Sequence, residues 1–194
     1  MNPAITMPEE QSPQRWRGRL QLLLIVAIVI APMLVASAMY YGRFWIPETR
    51  NYHGVLIGNG QTLSALGIEG VEPGRWQLLV TAPGACEKDC RELVYLARQI
   101  NIGLNRDASR ATHGLAMSQA LPTDYEAQLQ REYPQLGLYS LHKDAYRTTA
   151  PDVQEPQLWI VDPMGNLVLR YGAQSKGKSI LDDLRHLLKI SQIG

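Results

Sequence analysis

An α/β fold behind a single membrane-spanning helix is what this sequence predicts, on three observations. Residues 20–42 form 23 consecutive positions without a charged side chain. Past residue 72, short apolar runs bounded by Pro and Gly alternate with stretches of helical apolar spacing. The last two runs are separated only by the turn Pro163-Met164-Gly165-Asn166 and are followed by an amphipathic helix, so the alternation closes with a hairpin and a helix.

The amino-terminal elements come first. Residues 1–14 carry Pro3, Pro8 and Pro13 among polar groups and read as a short disordered tail, which makes 1–19 a cytoplasmic segment. The uncharged run 20–42 spans roughly 34 Å as a helix at about 1.5 Å per residue, enough for a hydrocarbon core of about 30 Å. Pro32 inside it is tolerable in a bilayer. Trp16 precedes the run and Tyr40, Tyr41, Phe44 and Trp45 close it, at the depth where headgroups lie. Arg15, Arg17 and Arg19 on the amino side outnumber Arg43 and Arg50 on the other. That bias keeps the amino terminus in the cytoplasm and exports everything after about residue 46, to the periplasm if this is a bacterial inner membrane. A cleaved signal peptide is the alternative, since Ala36-Ser37-Ala38 resembles a cleavage site, but the apolar run exceeds the 7 to 15 residues usual for a signal core.

Charge narrows the partners. The chain has 19 basic and 18 acidic side chains, and its net charge of +1 with no basic stripe argues against a nucleic-acid partner. The exported part is slightly acidic, and it is large enough for one domain.

Residues 43–72 contain Gly54, Gly58, Gly60, Gly67 and Gly70 and read as a linker running into a weak hairpin around Gly54-Val55-Leu56-Ile57. The domain proper is expected over 73–194. Residues 76–81, flanked by Pro73-Gly74 and Pro83-Gly84, form a buried strand. Leu93, Val94, Ala97, Ile100 and Leu104 recur at helical spacing, predicting a helix over 90–104. A second strand follows at 112–117. Thr123 then opens a helix as N-cap, with Glu126 three residues on, and Pro134 stops it. Residues 136–140 are a candidate third strand. Residues 157–162 and 167–171 are the hairpin, and Ser179 caps a last helix with Ile180, Leu181, Leu184, Leu187 and Leu188 on one face. This order matches the thioredoxin fold, and the placement of the cysteines separates it from other small α/β domains.

Two cysteines cannot form a disulfide framework or a four-thiolate zinc site, so any chemistry belongs to one pair. In Cys86-Glu87-Lys88-Asp89-Cys90 the thiols fall at the junction of a strand and a helix, four residues apart on one face of a turn. They can approach disulfide distance or share one metal ion. The helix N-terminus favours the thiolate, Lys88 reinforces it, and Glu87 and Asp89 oppose it. A structural disulfide is the plain alternative, favoured by an oxidising compartment, although a loop this short constrains the unfolded chain little.

The anchor, the C-x3-C pair at a helix start and the terminal hairpin Trp159-Ile160-Val161-Asp162-Pro163-Met164-Gly165 together resemble the Sco/SenC group over about residues 50–190. These are thioredoxin-fold membrane proteins that assist cytochrome c oxidase assembly. The resemblance implies that Cys86 and Cys90 bind Cu(I) for an oxidase subunit or exchange disulfides with it, with Cys86 leading as nucleophile. The family also uses a histidine as third copper ligand. Its expected place falls near Gln154, with Glu155 and Pro156 beside it, and Glu87 stands where a proline usually follows the first cysteine. Among His53, His113, His142 and His186, only His142, in the loop before the hairpin, is a candidate replacement; the others read as surface or packing residues. Two thiolates alone can hold Cu(I) in a linear geometry.

Pro156 is similar to a feature of another family. It stands six residues before Asp162 and nine before Gly165, the pattern of TlpA/ResA-like thiol–disulfide reductases, in which a cis-proline faces the cysteine pair. That resemblance implies a thiol–disulfide oxidoreductase with some other exported client; a trans proline simply starting a strand is the alternative. A non-catalytic assembly partner retaining a structural disulfide is the third reading.

Overall fold

The structure, a computed structural model, describes residues 14–42 and 52–191, and falls into two units divided between Arg50 and Asn51. The first holds one helix, α1 (Gln14–Gly42), with Pro32 inside it. Its stretch Arg17–Ala38 has a mean hydropathy of 2.6 and is wholly exposed within the molecule, so it is long and apolar enough to cross a membrane. Phe44 and Trp45, expected to close the span, lie outside the described residues.

The second unit is built on a six-stranded sheet in the order β1-β6-β5-β2-β3-β4. The strands are β1 (Val55–Leu56), β2 (Trp76–Ala82), β3 (Ala111–Met117), β4 (Gly137–Ser140), β5 (Gln157–Val161) and β6 (Leu167–Gly172). β2, β3 and β4 run parallel, joined through α2 (Lys88–Gly103) and α3 (Thr123–Glu132). β5 and β6 form the predicted antiparallel hairpin, with β5 also antiparallel to β2. A short helix α4 (Lys143–Thr149) precedes β5, and α5 (Gly177–Ile190) ends the domain.

Every residue of β2 is buried, because the strand is central and both of its faces are covered. Leu78 and Val80 face a core shared with Leu93, Val94, Ile100, Leu129, Leu184 and others from α2, α3 and α5. Leu79 points to the opposite core, with Trp159, Leu66, Ile68 and Tyr146. Strand periodicity thus divides one apolar run between two layers.

Three local expectations are corrected. The segment around Gly54-Val55-Leu56-Ile57 does not fold on itself: β1 pairs with β6, with Val55 opposite Arg170 and Leu56 opposite Leu169. A Cβ at Gly54 would lie 2.6 Å from the Tyr171 ring, so the strap approaches as closely as a glycine allows. Leu63, Leu66 and Ile68 are buried in the second core, so this part of the expected linker belongs to the domain. Thr123 and Ser179 lie inside helices whose N-caps are Pro122 and Lys176, and neither cap makes a side-chain hydrogen bond.

Candidate functional site

β2 delivers the chain to the site and α2 carries it away. After Ala82 the loop Pro83-Gly84-Ala85 is fixed from β3's end: Ser118 N–H donates to the Ala82 carbonyl at 3.1 Å and its hydroxyl to the Pro83 carbonyl at 2.7 Å. Glu87 takes the N-cap position in extended backbone and α2 starts at Lys88. One turn therefore brings Cys86 and Cys90 together as a disulfide, with Cα atoms 5.1 Å apart. Cys90, on the inner face of α2, is 0% exposed and Cys86 is 6% exposed, so both are buried and Cys86 is the more accessible of the two. Glu87, Lys88 and Asp89 between them face solvent, and Lys88 reaches Glu92 at 3.8 Å.

Arg91 lies beside the pair. Its Nε donates to the Cys86 carbonyl at 3.3 Å and its guanidinium sits 4.3 Å from the centroid of the Tyr125 ring. Burial, reinforced by Tyr133 and opposed by Arg91, pushes the Tyr125 phenol up to about 12. These residues border a cleft of about 530 Å³ that also takes in Tyr95 and Tyr133. The cation favours thiolate chemistry next to it. Sequence reading does not identify Arg91 or Tyr125; the position of Arg91 one residue beyond Cys90 on a helix is the available signal, while Tyr125 arrives only by tertiary packing.

The other candidate residues separate. Pro156 immediately precedes β5, whose first residue Gln157 pairs with Thr81 of β2, so it stands at the cysteine end of the sheet. No cis peptide bond occurs among the described residues, and Pro156 is a trans, strand-initiating proline rather than a cis one. His142 does not join the cysteines. It is the N-cap residue of α4 just past β4, and its N–H donates to the Gly67 carbonyl. Among the described residues no group of three or more His, Cys, Asp or Glu side chains could hold a metal ion. Gln154, at the place expected for a histidine, does border a cleft with Pro83 and Gly84. The position is near the cysteine loop, but its amide replaces an imidazole.

The remaining histidines are structural. His53 Nδ1 is 2.9 Å from Asp183 Oδ1, and His186 meets the Tyr52 ring edge-on at 5.7 Å. His113 is buried on β3, and burial followed by the charge of Arg98 lowers its pKa.

Two family models match the chain in tandem. One, described as a transmembrane-like N-terminal domain, covers residues 13–43, and the other, a transmembrane-like, thioredoxin-like C-terminal domain, covers residues 76–191. The chain belongs to this transmembrane-like, thioredoxin-like family. The thioredoxin-like assignment agrees with the sheet order and with a cysteine pair at the β2–α2 junction. No curated protein matches in sequence. Solved structures with similarity include copper-bound ScoI of Arabidopsis thaliana, at 11% identity over 61% of this chain and 87% of that one, with a TM-score of 0.48. Copper-bound yeast Sco1 is similar at 12% identity, 61% and 81% coverage and a TM-score of 0.47. A thiol:disulfide interchange protein from Bacteroides sp. shows 15% identity, 61% and 76% coverage and a TM-score of 0.44.

Proposed function

We propose that this protein is a membrane-anchored thiol–disulfide exchange protein of Sco/SenC type, reducing the disulfide of an exported client such as the oxidised copper-site cysteines of a cytochrome c oxidase subunit. The observation that carries the reading is the Cys86–Cys90 disulfide at the β2–α2 junction, with Cys90 fully buried and Cys86 the slightly more exposed of the two. The arginine bias around 20–42 supports a cytoplasmic amino terminus and a periplasmic domain.

The chemistry balances within the two proteins. The Cys86 thiolate attacks one sulfur of the client disulfide, breaking the client S–S bond and releasing one client thiolate, which takes a proton. The Cys90 thiolate then attacks Cys86 Sγ in the mixed disulfide and displaces the second client thiolate. Two electrons pass to the client and the Cys86–Cys90 bond forms, giving the oxidised state described above. A second exported dithiol protein returns the pair to the reduced state.

Copper, in this reading, is cargo rather than a resident cofactor. The described residues offer two sulfurs and no grouped third donor, so the three-ligand arrangement implied by the family resemblance does not fit. The remaining copper reading is a two-coordinate Cu(I) on the reduced thiolates, favoured by their shared placement on one helical turn.

Equilibration of the full chain in detergent against glutathione buffers tests the exchange. A potential well above about −300 mV and capture of exported proteins as mixed disulfides by Cys90→Ser are expected; a potential far below that value marks the disulfide as structural. Cu(I) titration of the reduced chain tests the cargo reading, which fails if binding is no tighter than to the Cys86→Ser, Cys90→Ser double variant.

A further inference from the structure

A second cleft, of about 480 Å³, is lined by Pro83 and Gly84 of the loop before Cys86 and by Lys143 and Arg147 of α4, whose Tyr146 belongs to the other core from Tyr125. Val153 and Gln154 contribute to its lining, which includes no carboxylate. Lys143 and Arg147 are exposed, stand four residues apart on one face of α4, and form no ion pair with a described residue. Of the nearby acids, Asp144 is exposed on α4 but does not line the cleft, Asp152 pairs with Arg170 at 3.3 Å, and Glu155 lines a neighbouring recess with that same arginine. The Tyr125 cleft is different, because there Glu87 and Glu92 offset Lys88 and Arg91.

The cations are held on a rigid support. Tyr146, on the inner side of α4, is fully buried, and its hydroxyl is 3.1 Å from Thr81 Oγ1, which in turn accepts the Trp159 Nε1–H at 2.9 Å. Gly84 leaves its side of the cleft open, since a Cβ there would meet nothing within 4 Å. Gly84 is two residues from Cys86, so their Cα atoms are at most about 7.6 Å apart.

We propose that this cleft docks an extended acidic segment of the client and that Lys143 and Arg147 select for carboxylates close to the client's cysteine. The proposal rests on the thiol-exchange reading and deepens it by naming the kind of segment exchanged with. At about 3.3 Å per extended residue, a client segment passing Gly84 is within about two to three positions of the reacting cysteine. A peptide is favoured over a lipid surface because the cations line a recess shared with Gly84, two residues before Cys86, and a peptide strand can enter such a recess. Charge pairing of this sort governs encounter and specificity, and salt weakens it.

The test uses the full chain in phosphatidylcholine nanodiscs, reduced, with three disulfide peptides of equal length whose cysteines are flanked by Asp/Glu, Ser/Gly or Lys residues. The acidic peptide is expected to be reduced at least tenfold faster than the neutral one at low salt, with the advantage shrinking at high salt. Lys143→Glu with Arg147→Glu should remove or invert the order, and Lys143→Arg with Arg147→Lys should restore it. Equal rates for the three peptides, or an order unchanged by charge reversal, overturn the proposal. Fluorescence anisotropy of an acidic peptide with serines in place of its cysteines separates docking from chemistry: binding lost on charge reversal upholds the docking site even if no peptide is reduced, which would defeat only the exchange reading. Loss of acidic-peptide binding when phosphatidylglycerol is added to the discs would assign the cations to lipid headgroups and overturn the proposal.

Discussion

The Nε of Arg91 donates to the carbonyl oxygen of Cys86 at 3.3 Å, tying the first turn of α2 to the more exposed of the two cysteines. The same guanidinium covers the Tyr125 ring at 4.3 Å, so one side chain joins the cysteine loop to α3. Arg91→Ala removes that tie and the positive charge that favours a neighbouring thiolate. Alkylation of the reduced chain by iodoacetamide at pH 7 should slow about threefold to tenfold, with Arg91→Lys intermediate. An unchanged rate would limit Arg91 to packing.

Thr81 links the sheet to α4. Its hydroxyl accepts from Trp159 Nε1 at 2.9 Å and shares a hydrogen bond with the Tyr146 hydroxyl at 3.1 Å, all three groups being buried. Thr81→Val keeps the shape and strands two polar groups, which should cost about 2–4 kcal/mol in denaturant unfolding. A loss below about 0.5 kcal/mol would mean that both groups find other partners.

Stability should peak between neutral and moderately alkaline pH. Burial, then the hydrogen bond to Asp183 at 2.7 Å and that residue's charge, holds the Tyr171 phenol far above its ordinary value of 10.0. Tyr125 is pushed up to about 12, and burial raises Tyr146 too. The unfolded chain releases these protons first, so the stabilisation is complete below about pH 10 and is lost as pH rises, by about 1.4 kcal/mol per unit for each tyrosine, ending near 12 for Tyr125. His113 acts at the other end: its pKa lies below the ordinary 6.5, so its contribution is present above that value and is lost as pH falls below it. Unfolding measured from pH 5 to 11 should fall off on both sides. Tyr171→Phe should flatten the alkaline limb and His113→Phe the acid one; identical limbs in these variants would refute the assignments.

Reduction of the pair should be mild in its structural effect. The bond joins residues four apart in sequence, and a loop of that size constrains the unfolded chain by only about 2 kcal/mol. Unfolding with and without reductant checks this, and a collapse of the fold on reduction would speak for a purely structural disulfide.

Gln154 borders the cysteine-side cleft where an imidazole is absent. Gln154→His should give the reduced thiolates a third donor and tighten Cu(I) binding at least tenfold in competition titrations. No change in affinity would show that this position does not reach the sulfurs.

Elements with strong local signals are legible in the amino-acid order. The uncharged run at 20–42, the Pro-Gly-bounded run that forms β2, the β5–β6 hairpin and the helical spacing from Leu93 to Ile100 each carry their own periodicity or punctuation. α4 gives no such signal, because its seven residues bury Tyr146 alone, too little for a helical period to emerge. Val55-Leu56 reads locally as half of its own hairpin, whereas its true partner, Leu169-Arg170, lies more than a hundred residues later.

The long apolar helix, the alternation of strands and helices and the placing of one cysteine pair at a helix start are set by the chain's local order, since all three depend on neighbours within a few residues. Which distant groups meet that pair is settled by tertiary packing. It brings Arg91 against Tyr125, gathers Lys143 and Arg147 into one cleft with Gly84, and leaves His142 at the start of α4 outside any group that could hold a metal ion. Those distances follow from strand order and from which face of the sheet each segment covers, and local sequence spacing carries no record of either.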